Sequence, residues 1–255
     1  MHDAAGGGPW SAPFARWARA LGSHDALSLV RLNALARERG CESGGGVTLR
    51  FVKAEAPKAD DLPYERRVFE QGMVATRLAG EGAIHDRFNA LAWLAFPRLK
   101  ARLNALHAQA LDEREVRGRR GWLRDRVTLF DESGALLLCR DPELTQALRA
   151  HQWEELFVAR RGQFEREARL LLVGHAVHEK LCKPYKAICA QVWILDLPQG
   201  LDEDLVDREA ARALGEESLA ALTPLPVLGV PGWWPANGDP AFYNDPQIFR
   251  QRRKT

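Results

Sequence analysis

The chain has 255 residues, 46% hydrophobic and 27% charged, and its 36 Lys and Arg against 34 Asp and Glu leave a net charge of +2. That length and composition suit a soluble globule with a sizeable core, and the near-balance of charge excludes the strongly basic footprint of a nucleic-acid-binding domain. No apolar run reaches the roughly 18 residues a membrane-crossing helix needs; the longest lies around Leu170 to Val173.

The amino-terminal MHDAAGGGPW has no apolar h-region, so no signal peptide is expected and residues 1–9 read as a disordered start. Phe14, Trp17, Ala18 and Leu21 then keep helical spacing, closed by Gly22. Ser23 is a suitable N-cap for a second helix through Arg39, with Leu27, Val30, Ala34 and Leu35 on one face and Gly40 ending it. The glycines at 44–46 make a turn, Val47 to Val52 alternates like a short strand, and 57–63 is a loop. YERRVFEQ, residues 64–71, reads as helix stopped by Gly72, and Met73 to Gly82 as a loop.

The densest helical pattern follows, from His85 to His107. At ~100° per residue, Phe88, Ala92, Ala95, Leu99, Leu103 and Leu106 form one apolar stripe. Beside it lie His85, Asn89, Trp93, Phe96, Lys100, Asn104 and His107, with Arg87, Arg98 and Arg102 on the far side. Polar side chains on the shoulder of a buried face must find partners, so they form either a polar site or a hydrogen-bonded packing seam. Pro97 removes a backbone donor and should kink or split the helix.

Residues 112–124 read as a charged connector. Val127–Phe130 and Ala135–Cys139, separated by Asp-Glu-Ser-Gly, read as a β-hairpin turning at Gly134. Asp141-Pro142 opens a helix that ends near Ala150, Trp153 to Val158 begins another, and Phe164 to Cys182 carries a long helical pattern stopped by Pro184. Ala187 to Leu195 suits a strand, and Leu201 to Leu222 an acidic surface helix. From Thr223 the prolines, glycines and aromatics forbid regular helix or central strand, yet the stretch is too apolar for disorder. It reads as a wrap over 223–252 that pins Trp233, Trp234, Phe242, Tyr243 and Phe249 into grooves.

Three sets of residues could carry chemistry. The first is the polar stripe with His85, Asn89 and His107. The second is GHAVHEK, residues 174–180, where His175 and Glu179 stand at i and i+4, a spacing that suits a divalent metal or a carboxylate-oriented histidine, and equally a core histidine held by a carboxylate. It is neither HExxH nor HxxEH, and a metal would need a further ligand from His85, His107 or Asp131. The third is Asp131-Glu132, whose commoner role at a turn is capping. Lys180, Lys183 and Lys186 with Tyr185 could form a small anion-binding patch, although a solvated surface is the commoner role of such a group. There is no P-loop, no G-x-G-x-x-G and no G-x-S-x-G elbow. Cys41, Cys139, Cys182 and Cys189 form no CxxC pair and read as buried, reduced thiols, which suits the cytoplasm.

HDRFNALAWLAFPRLKARLNALH, LRDRVTLFDESGALLL, LVGHAVHEKLCKPYKAI and PLPVLGVPGWWPANGDPAFYNDPQIFR together resemble the bacterial family catalogued as domain of unknown function 3025, over roughly residues 10–252. The family's third motif tends to read GHALLEK, so His178 stands where an apolar residue is usual and is not expected to be essential. The resemblance implies a bacterial cytoplasmic protein and supplies no reaction. The expected fold is one helix-dominated α+β domain with a few short strands. Two functions stay open: a metal-assisted or His-based hydrolase using His85, Asn89, His107, His175 and Glu179, or a binding module in which those residues are structural. A divalent metal is the one cofactor the residues suggest; they suggest no nucleic acid, no membrane and no particular partner.

Overall fold

A computed structural model describes residues 7–22, 27–56, 61–112 and 119–251. Helix α1 (Ala12–Leu21) runs to Gly22, whose φ of 83° only glycine adopts readily. Helix α2 (Leu29–Arg39) is capped by the Ser28 hydroxyl, Ser23 lying outside the described residues, and ends at Gly40 in the left-handed region. It buries Leu32, Leu35 and Ala36, with Leu27 buried just before it, whereas Val30 and Ala34 face solvent, so the face expected from the sequence is rotated.

Strand β1 (Arg50–Lys53) pairs in parallel with β2 (Met73–Thr76), and α3 (Tyr64–Gln71) makes the crossover. The stretch from Met73 was expected to be loop. It becomes strand because alternate side chains, Val74 and Thr76, go into the core. The central pattern splits at Pro97 into α4 (Ala83–Ala95) and α5 (Pro97–Asp112). Pro97 sits in the first turn of α5, where its missing N–H costs nothing. The Arg98 N–H and Leu99 N–H, without partners inside the helix, donate to Asp207 at 3.1 and 2.9 Å. Every residue from Asp86 to Ala95 is buried, Arg87 included, whose guanidinium donates to the Gly22 carbonyl.

Helix α6 (Arg119–Ser133) and strand β3 (Gly134–Cys139) replace the expected hairpin. Leu123, Val127 and Phe130 recur at steps of four and three and form one buried helical face, so the short apolar run was part of a helix. The described part of the expected connector, from Arg119, belongs to the same helix. Then come α7 (Pro142–Arg149), capped by Asp141, a π-helical turn over Glu155–Ala159, α8 (Arg161–Glu167), β4 (Ala168–Leu172), α9 (His175–Lys180) and β5 (Cys189–Leu195). The long helix expected over 164–182 is thus interrupted by β4. Ala168 and Leu170 to Leu172 are all buried, and a strand covered on both faces shows no alternation to betray it. The acidic helix divides at Gly215 into α10 (Glu203–Ala213) and α11 (Glu216–Ala220), and β6 (Thr223–Pro226) follows.

The main sheet has the order β4-β3-β5-β6, with β3 parallel to β5 and the other neighbours antiparallel. All six residues of β3 are buried. Leu136 and Leu138 join the core that contains α4, α5 and α6, while Ala135, Leu137 and Cys139 join a second core on the other face. The protein is therefore helix-dominated α+β, with the sheet as a wall between two cores.

The chain after β6 covers the second core. Pro224 and Pro226 are tolerated because β6 is the edge strand. Tyr243 and Phe249 are buried, and Trp233, Trp234 and Phe242 pack partly buried against the same cluster. Polar bolts fix the path: Asn237 Nδ2 donates to the carbonyls of Leu228 and Val230 at 2.9 and 2.7 Å, Tyr243 donates to Gly229 O at 2.7 Å, and Trp153 Nε1 donates to Arg250 O at 2.8 Å. Truncation after Leu222 is predicted to abolish the cooperative unfolding transition seen by circular dichroism. An unchanged melting curve would show that this segment is accessory.

Candidate functional site

Three helix ends meet at one point. The C-terminus of α6 brings Asp131 and Glu132, the N-terminus of α9 brings His175, and the first turn of α4 brings His85. The approach of α9 depends on Gly174. A Cβ there would lie 2.6 Å from Glu132 O, Gly134 N and Ser133 Cα, so only glycine lets the chain cross the α6–β3 corner. Gly134 O accepts from both Val173 N and Gly174 N, at 3.0 and 2.9 Å, which locks the crossing.

Within the cluster, His175 Nε2 is 3.1 Å from His85 Nε2 and 3.4 Å from Glu132 Oε2. One ligand atom from each of the three residues lies within 4.8 Å of the others. A tetrahedral site with Zn–N bonds of 2.0–2.1 Å has ligand-to-ligand edges of about 3.3 Å, so the spacing fits a small divalent cation. The histidine side chains differ in exposure: His175 is 6% exposed and His85 30%.

The proton positions follow from the outer partners. His85 Nδ1 lies 3.0 Å from Glu179 Oε2 and donates to it, which leaves a lone pair on Nε2. His175 Nδ1 faces Asp131, whose carboxylate is at 3.9 Å and whose main-chain carbonyl also favours a proton on the ring, although neither reaches good hydrogen-bond geometry. Burial pushes His175 down to about 3, so the ring is neutral at physiological pH. A proton on Nδ1 gives it, too, a lone pair on Nε2. Two lone pairs and a carboxylate oxygen then face one another, which is an arrangement that attracts a cation.

Lys100 holds the outer ring in place. Its Nζ is 2.5 Å from Asp131 Oδ1 and lies over the Trp93 ring. Burial would raise the Asp131 carboxyl, but the Lys100 ammonium outweighs it and holds Asp131 at about 2. Glu132 is pushed up, first by burial and then by Asp131.

The cluster opens on a cavity of about 440 Å³. His107 and Asn89 line it, beside Trp93, Asn104 and Glu65. Asn89 Nδ2 donates to the Tyr64 hydroxyl at 3.1 Å, while its Oδ1 has no partner. The Tyr64 phenol is pushed up, first by burial around its hydroxyl, and stays an O–H donor, although the residue as a whole is 38% exposed. Asn104 is committed to structure, accepting from Gly44 N and donating to Glu65.

The structure thus gathers His85, His175 and Glu179, and lines the adjoining cavity with Asn89 and His107. It departs from the expected geometry in two respects. Glu179 does not share a point with His175 but stands behind His85. Glu132 supplies the carboxylate of the cluster, and Asp131 stands behind His175. Asp131-Glu132 was visible as a polar pair, yet a position assigned to a hairpin could not reveal this role.

His178 is apart from the cluster. It is buried, stacked on Phe14 at 4.1 Å between ring centroids and on Phe88 at 5.7 Å, with Nε2 3.3 Å from Leu172 O. Burial lowers it to about 4.

These features define a helix-dominated α+β protein with a three-residue cation-compatible cluster beside a cavity. The chain belongs to the family described as protein of unknown function (DUF3025), which it matches over residues 49–253. No curated protein and no solved structure matches it. No helix among the described residues is long and apolar enough to cross a membrane.

The depressed His178 gives a pH test. Unfolded, it takes a proton near pH 6.5, and folded only near 4, so stability present above pH 6.5 is lost as pH falls through 4. His178→Leu is predicted to lose about 3 kcal/mol less than the parent between pH 7 and pH 4, measured by urea denaturation. Parallel pH profiles would contradict the buried neutral imidazole.

Proposed function

We propose that the protein is a metal-dependent hydrolase whose cation is held by His85 Nε2, His175 Nε2 and Glu132. The observation that carries this is the pair of histidines facing a third ligand at the mouth of a cavity, with His85 Nδ1 hydrogen-bonded to Glu179 and the Asp131 carboxylate 3.9 Å from His175 Nδ1. A hydrogen-bonded histidine pair alone is the weaker account. A proton on His85 Nε2 would turn the Nδ1 lone pair toward Glu179, and a proton on His175 Nε2 would turn its Nδ1 lone pair toward the Asp131 carboxylate.

Three protein ligands leave a coordination position for water, and a bound divalent cation would lower that water's pKa and polarise a substrate carbonyl or phosphoryl oxygen. The chain's own groups have separable tasks. Glu179 and Asp131 fix the histidine tautomers, Lys100 keeps Asp131 ionised, and the Tyr64 O–H offers a hydrogen bond to a substrate oxygen in the cavity. The four cysteines are free thiols, Cys41 and Cys139 buried as expected and Cys182 and Cys189 exposed instead, which fits a reducing compartment such as the cytoplasm.

Elemental analysis and calorimetric titration with Zn²⁺ and Mn²⁺ test the site. One equivalent is predicted to bind, His85→Ala/His175→Ala to abolish binding, and Glu179→Gln and Asp131→Asn each to weaken it about 10–100-fold. Turnover of a panel of ester, amide and phosphoester reporters is predicted to disappear on chelation and return with the metal. Absence of stoichiometric binding, or turnover indifferent to chelation, contradicts the reading.

A further inference from the structure

The cavity beside the cluster has a charge pattern of its own. Glu65, Asp86, Asp131 and Glu132 line it, against Arg77 and Lys100. Both cations are already committed. Arg77 donates from Nε and Nη2 to the two oxygens of Asp86, at 2.8 and 2.7 Å, and Lys100 is taken by Asp131. Glu132 belongs to the cluster. That leaves Glu65, whose Oε2 accepts from Asn104 Nδ2 at 2.9 Å, a neutral donor that does not cancel its charge.

A second, independent observation points the same way. Asn89 is 9% exposed, lines the cavity, and its Oδ1 has no hydrogen-bond partner. A buried acceptor left unmet is costly unless a ligand supplies the donor. Ala54, Val68, Ala75 and Leu103 make other parts of the wall apolar. The cavity therefore has surplus acceptors, surplus negative charge and apolar surface, and its two Lys and Arg cations are already paired. Among the described residues, no free Lys or Arg lines the cavity to meet an anionic substrate group. A protonated amine or guanidinium on an apolar carrier matches all three properties.

We propose that this cavity recognises the cationic amine or guanidinium of its substrate, with Glu65 as the counter-ion, so that the site acts on cationic amides or esters rather than phosphate esters. Action on an amide or ester rests on the hydrolytic reading above; recognition of the cation by Glu65 does not.

Isothermal titration of the full-length protein, with and without Zn²⁺, against L-argininamide and separately against inorganic phosphate tests the proposal. L-argininamide is expected to bind under both conditions, and Glu65→Gln to weaken it about tenfold or more. The variant's Tm and its Zn²⁺ titration should match those of the parent, which separates loss of recognition from loss of fold. Phosphate is expected to bind more weakly than L-argininamide. The proposal is overturned if L-argininamide does not bind, if Glu65→Gln leaves its affinity unchanged, or if phosphate binds more tightly. Failure of Zn²⁺ to bind while L-argininamide still depends on Glu65 would sink the metal reading and leave this one standing.

Discussion

The close crossing of Gly174 over the α6–β3 corner is the contact on which the candidate site depends. It has no polar chemistry of its own, yet it sets how near the start of α9 comes to the end of α6. With Gly134 O accepting two consecutive amides, the corner is held by hydrogen bonds as well as by the missing Cβ. His175 begins α9 one residue later and so faces Glu132 directly. The sheet makes the corner rigid, since β3 starts at Gly134 and is buried on both faces. A site built on the ends of packed elements keeps its geometry better than one carried on loops.

Around that corner the polar groups form two nested rings. The inner ring, His85, His175 and Glu132, presents lone pairs. The outer ring, Glu179, Asp131 and Lys100, sets the charges around the far nitrogens, with Glu179 accepting from His85 Nδ1 and Asp131 3.9 Å from His175 Nδ1. Lys100 is itself buried, and its charge is answered by Asp131 and by the face of Trp93. Such a buried ion pair is a poor source of stability, because desolvation offsets most of its attraction. Its value here is orientation. It keeps a carboxylate negative beside a neutral imidazole, and so biases which nitrogen of His175 carries the proton.

Much of this was legible in the residue order where local chemistry decides local structure. Gly22, Gly40 and Gly72 end helices, Asp141-Pro142 starts one, and Pro97 divides another. The aromatic segment also read as an irregular cover, which holds after Pro226; its first four residues, Thr223–Pro226, form edge strand β6 instead. What did not show was structure determined by distant packing. Val127–Phe130 looked like a strand until Leu123 placed it on a helical face. β4 was hidden inside a helical pattern because neither of its faces meets water. His85, His175 and Glu179 were found by residue type and spacing. Glu132 was not placed with them, because its role exists only when the α6 helix is known to run on to Ser133.

The central claim is that His85, His175 and Glu132 form a metal centre. A crystal grown with Zn²⁺ and measured at the zinc absorption edge tests it most directly. The account predicts one strong anomalous peak at about 2.0–2.2 Å from His85 Nε2, His175 Nε2 and a Glu132 oxygen, with Glu179 on His85 Nδ1. No anomalous peak at this point, with the two imidazoles hydrogen-bonded directly to each other, would contradict it.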